Sequence, residues 1–269
     1  MVSNKLLEWQ HIIKFKVQIS KFKVKSNHKV QSSNLKVQSK LKALLSSTYF
    51  GPIQWYQKLN RYDECLIERH ESFIKQTYRN RMIIPTTNGP LSLTIPTNHD
   101  ISLSMKDIRI SDHANWRHVH WNALLSAYGE SPFFEYYQDD IRPFYEKKYE
   151  FLFDFNMETT EKMIELLDIR PKISITEEYV LSEERRVKSE EFDSFANHKV
   201  QSSNLKVQSK EVQSIVDFRD AIRPKKPLPD AEFAPQRYYQ VYEQKYGFQP
   251  NMSILDLLFN EGNEAIFYL

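Results

Sequence analysis

The sequence predicts an α+β fold, or a mixed α/β fold. It has a β-α-β start, an antiparallel meander in the N-terminal half and a helix-rich C-terminal half packed on the sheet. Strand-like patterns come first and helical periodicity begins near Asn115, an order typical of these classes. Thr87–Pro90 is a turn signal between two apolar runs, which indicates a hairpin. Hydrophobic residues make up 41% and aromatic residues 13% of the 269 residues, which allows a sizeable core and excludes full-length disorder.

Apolar patterns assign strands and one short helix to the N-terminal half. Ala43–Tyr49 and Glu64–Glu68 are short apolar runs, so both are predicted to be strands. Between them, Ile53–Arg61 places its apolar residues at helical spacing. These three elements form the β-α-β start. Three further strands make the predicted meander: Arg81–Pro85, Leu91–Pro96 and Met105–Ile110.

Helical spacing and capping residues assign the C-terminal half. Asn156 and Ser253 are predicted N-caps, and Gly247 and Gly262 are predicted to end helices. A short strand is predicted at Ile173–Thr176. The predicted helices are Trp116–Tyr128, Asp139–Phe153, Glu158–Leu167, Asp217–Ile222, Arg237–Tyr246 and Ile254–Phe259.

One segment occurs twice in the chain. Asn27–Lys40 and Asn197–Lys210 are identical at every position, with a unit of seven residues. The two apolar residues of each unit are two apart, which suits neither a coiled coil nor a regular strand. We interpret both copies as translated tandem repeats. Residues 1–41 are therefore predicted to be a basic, disordered extension, and residues 42–269 a single domain with a repeat-derived insertion near 187–214.

Charge and composition exclude several classes of protein. Residues 1–42 carry ten Lys and one acidic residue, whereas the rest of the chain carries 27 basic and 34 acidic residues. The basic arm could bind nucleic acid or a membrane surface, but its repeat origin favours no partner. No run of 18 apolar residues predicts a membrane span. The N-terminus is a poor signal peptide and Cys65 is the single cysteine, so a cytoplasmic location is the default.

The densest polar stretch runs from Glu68 to Arg81, directly after a predicted strand. Open α/β sheets bind ligands at such strand ends. Lys75, Arg79 and Arg81 could clamp a phosphate or carboxylate, because guanidinium groups donate in a bidentate fork. Glu68 or His70 could act as a base. The alternative is a solvated loop with ordinary salt bridges.

A second polar stretch, His113–Trp121, contains three histidines. His118 and His120 are two apart, so on a helix they diverge and do not match a metal site. His120 could instead be catalytic or hydrogen-bonded at a buried helix start. Cys65 lies in an apolar strand, which favours a buried structural thiol. No glycine-rich phosphate loop or serine-hydrolase elbow is present, and neither metal nor cofactor is predicted.

Seven stretches of the chain together carry a family resemblance. They are LLSSTYFGPIQWY (44–56), HESFIKQTYRNR (70–81), NGPLSLTIP (88–96), WRHVHW (116–121), the run at 126–156, ISITEEY (173–179) and the run at 238–262. On these stretches the chain resembles the WbqC-like protein family, in its Bacteroidetes-type form, from Leu41 to the C-terminus outside the repeats. Asn80-Arg81 and the helix histidine His120 match the family, whereas Gly51 stands where Pro is common. Glu68 and His70-Glu71 occupy a region that often carries paired Asp.

The resemblance implies a role in surface-polysaccharide (O-antigen-type) biosynthesis, including transfer of a glycosyl or an aminoacyl group such as glycine. The first hypothesis is therefore a cytoplasmic transferase with a sugar or nucleotide-sugar substrate. A non-catalytic binding or scaffold protein of the same pathway is the alternative, and a nucleic-acid binder is the least favoured. Oligomeric state stays open. The expected catalytic candidates are His120, Glu68 and His70, and the expected binding residues are Tyr49, Tyr56, Lys75, Tyr78, Arg79, Asn80 and Arg81.

Overall fold

The computed structural model describes residues 41–98, 103–181 and 215–269. Short 3₁₀ turns lie at Met105–Asp107, His113–Asn115 and Gly262–Tyr268. The strands and helices are, in chain order, β1 (Lys42–Ser46), α1 (Ile53–Arg61), β2 (Glu64–Glu68), β3 (Arg81–Thr86), β4 (Gly89–Thr94), β5 (Thr97–Asn98), β6 (Arg109–Ile110), α2 (Trp116–Tyr128), α3 (Phe134–Ile141), α4 (Pro143–Glu146), α5 (Leu152–Leu166), β7 (Ile173–Ile175), β8 (Ile215–Asp217), α6 (Glu243–Tyr246) and α7 (Ile254–Glu261).

A parallel sheet carries the predicted β-α-β start. Its strands lie in the order β7-β2-β1-β8, and Ser46 at the end of β1 pairs with Glu68 at the end of β2. Ala43, Leu44 and Leu45 are fully buried, as expected for a parallel strand covered on both faces. The predicted fold class is confirmed. Because all four strands are parallel, their carboxyl ends lie at one edge of the sheet.

The antiparallel part consists of two separate strand pairs. Strands β3 and β4 form a hairpin in which Arg81 pairs with Thr94. Gly89, the first residue of β4 after the turn, has φ +93°, a conformation that favours glycine. Strand β5 pairs with the two-residue β6. The predicted strand Met105–Ile110 is wrong in its first half, where the chain forms a 3₁₀ turn.

Two predicted helices are interrupted. The run Asp139–Phe153 is divided because α3 ends before Pro143, which starts α4, and α5 begins only at Leu152. Proline lacks the N–H that a continuous helix needs but is tolerated at a first turn. Asn156 is fully buried inside α5 and does not cap it. Its Nδ2 donates to the Arg79 carbonyl at 2.8 Å.

Two further helix predictions are corrected nearer the C-terminus. The predicted helix Asp217–Ile222 is the end of β8 followed by a turn, and Arg237–Tyr246 is helical only over α6. Helix α7 begins as predicted, with Ser253 Oγ accepting a hydrogen bond from the Leu255 N–H. Every residue of α7 from Ile254 to Asn260 is buried, so this helix forms part of the core.

Helix α7 places one carboxylate inside the core. Asp256 is fully buried and accepts hydrogen bonds from Tyr238 Oη and from Gln240 Nε2, the latter at 2.8 Å. Burial raises the pKa of Asp256 from 3.8 to about 6, although these donors oppose the shift. The protein therefore binds this proton more tightly when folded than when unfolded.

Replacing Asp256 with Asn is expected to shift stability relative to wild type in favour of the variant as pH rises from 4 to 7. The raised pKa favours folding fully below pH 3.8, and this contribution is lost as pH rises through about 6. Asparagine does not ionise, but its amide nitrogen faces a donor, because both oxygens of Asp256 accept hydrogen bonds. The variant should therefore be less stable than wild type at pH 4, and the difference in unfolding free energy should move in its favour by about 2 kcal/mol between pH 4 and pH 7. Urea unfolding at several pH values measures it.

Tyr238→Phe is the matched control, because it removes a donor to the carboxylate. It should make the protein less stable at pH 7, and this loss should shrink towards pH 4 as Asp256 takes up its proton. A pH-independent difference for both variants would contradict the raised pKa.

Residues 1–40 and 182–214 lie outside the described residues. All of the predicted insertion near 187–214 and all but the last residue of the predicted extension 1–41 fall there, and both stay predictions. Within the described ranges, no helix is long and apolar enough to cross a membrane.

Candidate functional site

Polar side chains gather at the carboxyl edge of the parallel sheet. Ser46 ends β1, Glu68 ends β2 and Asp217 ends β8. In the order β7-β2-β1-β8, the strands that follow β1 in the chain lie on both of its sides, so the strand order reverses at β1. In open α/β sheets, ligands bind outside the carboxyl ends of the strands where the strand order reverses.

A cavity of about 210 Å³ lies at this edge. We call it the edge cavity. It is lined by the segments that follow β2, β7 and β8, and it contains three guanidinium groups, two carboxylates and one imidazole. The lining residues are His70, Glu71, Ser72, Ile74, Arg79, Tyr179, Arg219, Asp220 and Arg223.

Arg79 is held in the cavity wall by a network of buried side chains. Its Nε donates to Glu71 Oε1 at 2.8 Å, and its Nη2 donates to Ser46 Oγ at 2.8 Å and to Glu71 Oε2. The Arg79 and Glu71 side chains are 3% and 7% exposed. This bidentate pair fixes both side chains in one geometry.

Glu68 joins the ends of the strands beneath the cavity. It is fully buried. Its Oε1 accepts from the His70 N–H and from Thr176 Oγ1, and its Oε2 accepts from the Val180 N–H, all at 2.8 Å. Its carboxylate therefore ties β2 to the segment after β7 and orients the backbone of His70.

Arg219 connects the segment after β8 to the segment after β7. Its Nε and Nη2 donate to the two oxygens of Asp217 at 3.0 and 2.7 Å, and Nη2 also donates to the Val180 carbonyl at 2.9 Å. The guanidinium lies 5.1 Å from the ring centroid of Tyr179, within range of a cation–π contact. Its Nη1 lies 3.7 Å from Glu68 Oε2.

Each cavity arginine has a carboxylate partner. Arg79 pairs with Glu71, Arg219 with Asp217, and Arg223 with Asp220. The walls therefore offer both donors and acceptors with little net charge. Hydroxyl groups both donate and accept hydrogen bonds, so such walls suit a ligand rich in hydroxyls. Tyr179 and Ile74 add apolar surface.

His70 is half-buried and lines the cavity. Within the part of the chain that the structure describes, its imidazole makes no side-chain hydrogen bond; only its backbone N–H is bonded, to Glu68. It is therefore available to accept a proton from a bound group. No cluster of three or more His, Cys, Asp or Glu in the described ranges is arranged to hold a metal ion.

His120 lies in an aromatic cluster and not in the cavity lining. Its Nδ1 is 2.9 Å from Tyr49 Oη, which is 2.9 Å from Tyr145 Oη. Burial lowers the pKa of His120 from 6.5 to about 4, so the imidazole is neutral at pH 7. Trp116 packs edge-on against it.

Of the residues expected from the sequence, the structure brings His70 and Arg79 to the edge cavity. Lys75 is exposed, while Arg81 Nε donates to Thr94 Oγ1 at 3.0 Å on the hairpin. Asn80 donates to the Ile95 carbonyl at 3.0 Å. The remaining candidates are buried outside the cavity lining: Glu68, Tyr49, Tyr56, Tyr78 and His120.

Sequence reasoning missed the contribution of β8. Arg219, Asp220 and Arg223 line the cavity but fell in or beside a predicted helix, which hid their place at the carboxyl edge of a sheet. The available signal was an apolar pair followed by Asp217 and Arg219, a short strand with polar residues at its end. Cys65 is buried as predicted, and burial raises its pKa to about 12.

Comparisons with known proteins give one family. A family model described as "WbqC-like protein family" matches residues 46–268. The chain is 28% identical over 237 residues to "Uncharacterized protein Rv1507c" of Mycobacterium tuberculosis, a match that covers 86% of this chain and 97% of that relative. No solved structure matches the chain.

Proposed function

Since this chain belongs to the WbqC-like protein family, we propose that it is a cytoplasmic transferase of surface-polysaccharide biosynthesis. In this proposal the edge cavity holds an activated sugar or a sugar-linked acceptor. The observation that carries it is the cavity itself, with paired charged walls and the Tyr179 ring at the strand-order reversal of a parallel sheet.

The polar geometry supports a sugar ligand. The Arg79–Glu71 and Arg219–Asp217 pairs present fixed donors and acceptors that do not need to reorganise when hydroxyl groups bind. Tyr179 lines the cavity, and its ring adds apolar surface that can contact the C–H groups of a sugar. A few convergent polar groups around such a cavity are typical of small-molecule sites.

His70 is the proposed general base. It would take the proton from an acceptor hydroxyl or amine as that atom forms a bond to the electrophilic carbon of the donor. The leaving group of the donor then departs with the electron pair. The transferred group is a glycosyl or an aminoacyl group. Fixing donor and acceptor together supplies much of the rate, so the site needs few special residues.

His70→Asn is expected to lower turnover by about 10²- to 10⁴-fold without changing the unfolding midpoint. The imidazole is half-buried and makes no side-chain hydrogen bond within the described ranges, so its loss should not weaken the core. His118→Asn is the control, because His118 is an exposed α2 histidine bonded only to Asn122 within the described residues. Equal turnover for both variants would remove His70 from the chemistry.

A binding or scaffold protein of the same pathway is the second candidate. The charged groups of the cavity walls are paired with each other, which suits binding more than proton transfer. This pairing favours the second candidate, since it leaves only His70 among the lining residues as an available proton acceptor. The composition of the surface polysaccharide, measured by mass spectrometry in a strain lacking the gene, tests both. A lost substituent that the wild-type gene restores and the His70→Asn gene does not supports the transferase. Full restoration by the variant supports the binding protein, and an unchanged glycan contradicts the pathway.

A further inference from the structure

The three cavity arginines differ in how easily they can bind a ligand. The Arg79 and Arg219 side chains are 3% and 5% exposed, and each is held by a carboxylate in two-point contact. An oxyanion that displaced Glu71 from Arg79 would leave that buried carboxylate without a counter-charge, which is strongly unfavourable. The buried Arg219 guanidinium is also bonded to the Val180 carbonyl, so it is held on two sides. These two pairs are therefore fixed parts of the wall.

Arg223 is the exception. Its side chain is 27% exposed, and that of its partner Asp220, three residues earlier in the chain, is 35% exposed. Both side chains are partly solvated, and an ion pair that water can reach is weak. A guanidinium has five donors, so an incoming oxyanion can join Asp220 on Arg223 or replace it, and the released carboxylate would be solvated.

The surroundings of Arg223 also carry excess positive charge. Lys225 and Lys226 follow it and are exposed, and Lys225 Nζ donates to the neutral Gln76 Oε1 at 3.0 Å. This hydrogen bond joins the segment after β8 to the segment after β2 just beyond the cavity lining. The cavity interior is charge-balanced, whereas this side of it is cationic, so an anionic ligand group is drawn to this side.

We propose that Arg223 is the anion receptor of the edge cavity and binds the phosphate of a phosphorylated sugar, while the sugar ring lies inside, beside Tyr179. The ligand class is a sugar phosphate ester, which includes a glycosyl phosphate and the diphosphate of a nucleotide sugar. This inference rests on the proposed function, because it states how the activated sugar is oriented in the cavity. The hydroxyl groups face the ion-paired walls and the phosphate faces Arg223.

Isothermal titration calorimetry with the full chain tests the assignment. The probes are glucose, glucose 1-phosphate, uridine diphosphate glucose and inorganic phosphate. Wild type should bind a phosphorylated probe more tightly than glucose, and Arg223→Gln should weaken that binding about tenfold, the loss expected for a charged hydrogen-bond donor. Whichever of glucose 1-phosphate and uridine diphosphate glucose binds more tightly shows whether the ligand class is a glycosyl phosphate or a nucleotide sugar.

Asp220→Asn provides a test of opposite sign. It removes the carboxylate that competes for Arg223, so it should tighten phosphate binding. Arg142→Gln is the matched control, because Arg142 forms an exposed pair with Glu146 at the α3–α4 junction, outside the cavity lining, and should leave binding unchanged. Equal losses for Arg223→Gln and Arg142→Gln, or no binding of any phosphate probe by wild type, would overturn the assignment.

The two proposals fail in different ways. Arg223-dependent binding of a sugar phosphate with an unchanged polysaccharide in the deletion strain keeps the anion receptor and contradicts the transferase pathway. A polysaccharide that loses a substituent, together with wild-type affinity in Arg223→Gln, keeps the transferase and overturns the receptor.

Discussion

Arg79→Ala is expected to destabilise the protein by about 3–5 kcal/mol, because it leaves the buried Glu71 carboxylate without its counter-charge. The two side chains are almost fully buried, and Arg79 also bonds Ser46 at the end of β1. A role of Arg79 in clamping a phosphate or carboxylate, as considered from the sequence, would instead predict a loss of ligand binding at unchanged stability. Urea unfolding at pH 7 measures the free energy.

Two further variants sharpen this prediction. Arg79→Ala combined with Glu71→Ala should cost less than the sum of the single variants, since no uncompensated carboxylate remains. Arg81→Ala is the control: Arg81 is half-exposed and bonds only the Thr94 hydroxyl among the described residues, so its loss should cost under about 1 kcal/mol. Wild-type stability in Arg79→Ala would show that the guanidinium is free for a ligand.

Lys58→Ala is expected to have a destabilising effect of similar size, about 3–5 kcal/mol. Lys58 lies on α1 and is fully buried. Its Nζ contacts Asp230 at 2.9 Å and Glu232 at 3.1 Å, and it lies 4.4 Å from the centroid of the Phe218 ring. The Asp230 side chain is 4% exposed, so truncating the lysine leaves that carboxylate buried without its counter-charge, although Gln54 Nε2 still donates to it at 2.8 Å.

The effect of Lys58→Ala should extend to the edge cavity, because Asp230 anchors the segment that carries Arg219 and Arg223. Limited trypsin digestion should cut the segment 224–232, at the Lys225–Lys226 bond, earlier in the variant than in wild type. Lys147→Ala is the control, since Lys147 forms an exposed pair with Glu158 and should cost less than about 1 kcal/mol. Equal stability losses for Lys58→Ala and Lys147→Ala would contradict the prediction that the buried ion pair contributes more than the exposed one.

The β-α-β start could be predicted closely because local signals agree with the tertiary structure. Helix α1 and strand β2 have the predicted bounds, since apolar spacing there matches burial. Strand β8 could not be found this way. Its three residues carry too short a pattern, and its pairing partner β1 is far away in the chain. Pro143 indicated a break in the predicted helix Asp139–Phe153, but the long apolar pattern favoured one continuous helix.

Residue type alone found only part of the candidate site. Carboxylates and histidines after β2 were expected, but burial decides their roles. Glu68 is committed to three hydrogen bonds beneath the cavity, and His120 bonds Tyr49 in the core. His70 faces the cavity. A sequence does not record which of these side chains lies inward, because that depends on contacts with β7 and β8.

The bonds of Val180 to Glu68 and Arg219 bear on how this protein tolerates changes of length. They hold the chain to the sheet just before residues 182–214, and β8 holds it just after them. Closing a chain segment between two fixed points costs entropy that grows only with the logarithm of its length, about 0.6 kcal/mol per doubling. The repeat copy Asn197–Lys210 lengthens this connection by less than twofold. By this relation, inserting a 14-residue segment between these two anchors is expected to cost under about 0.6 kcal/mol and to need no compensating substitution in the core.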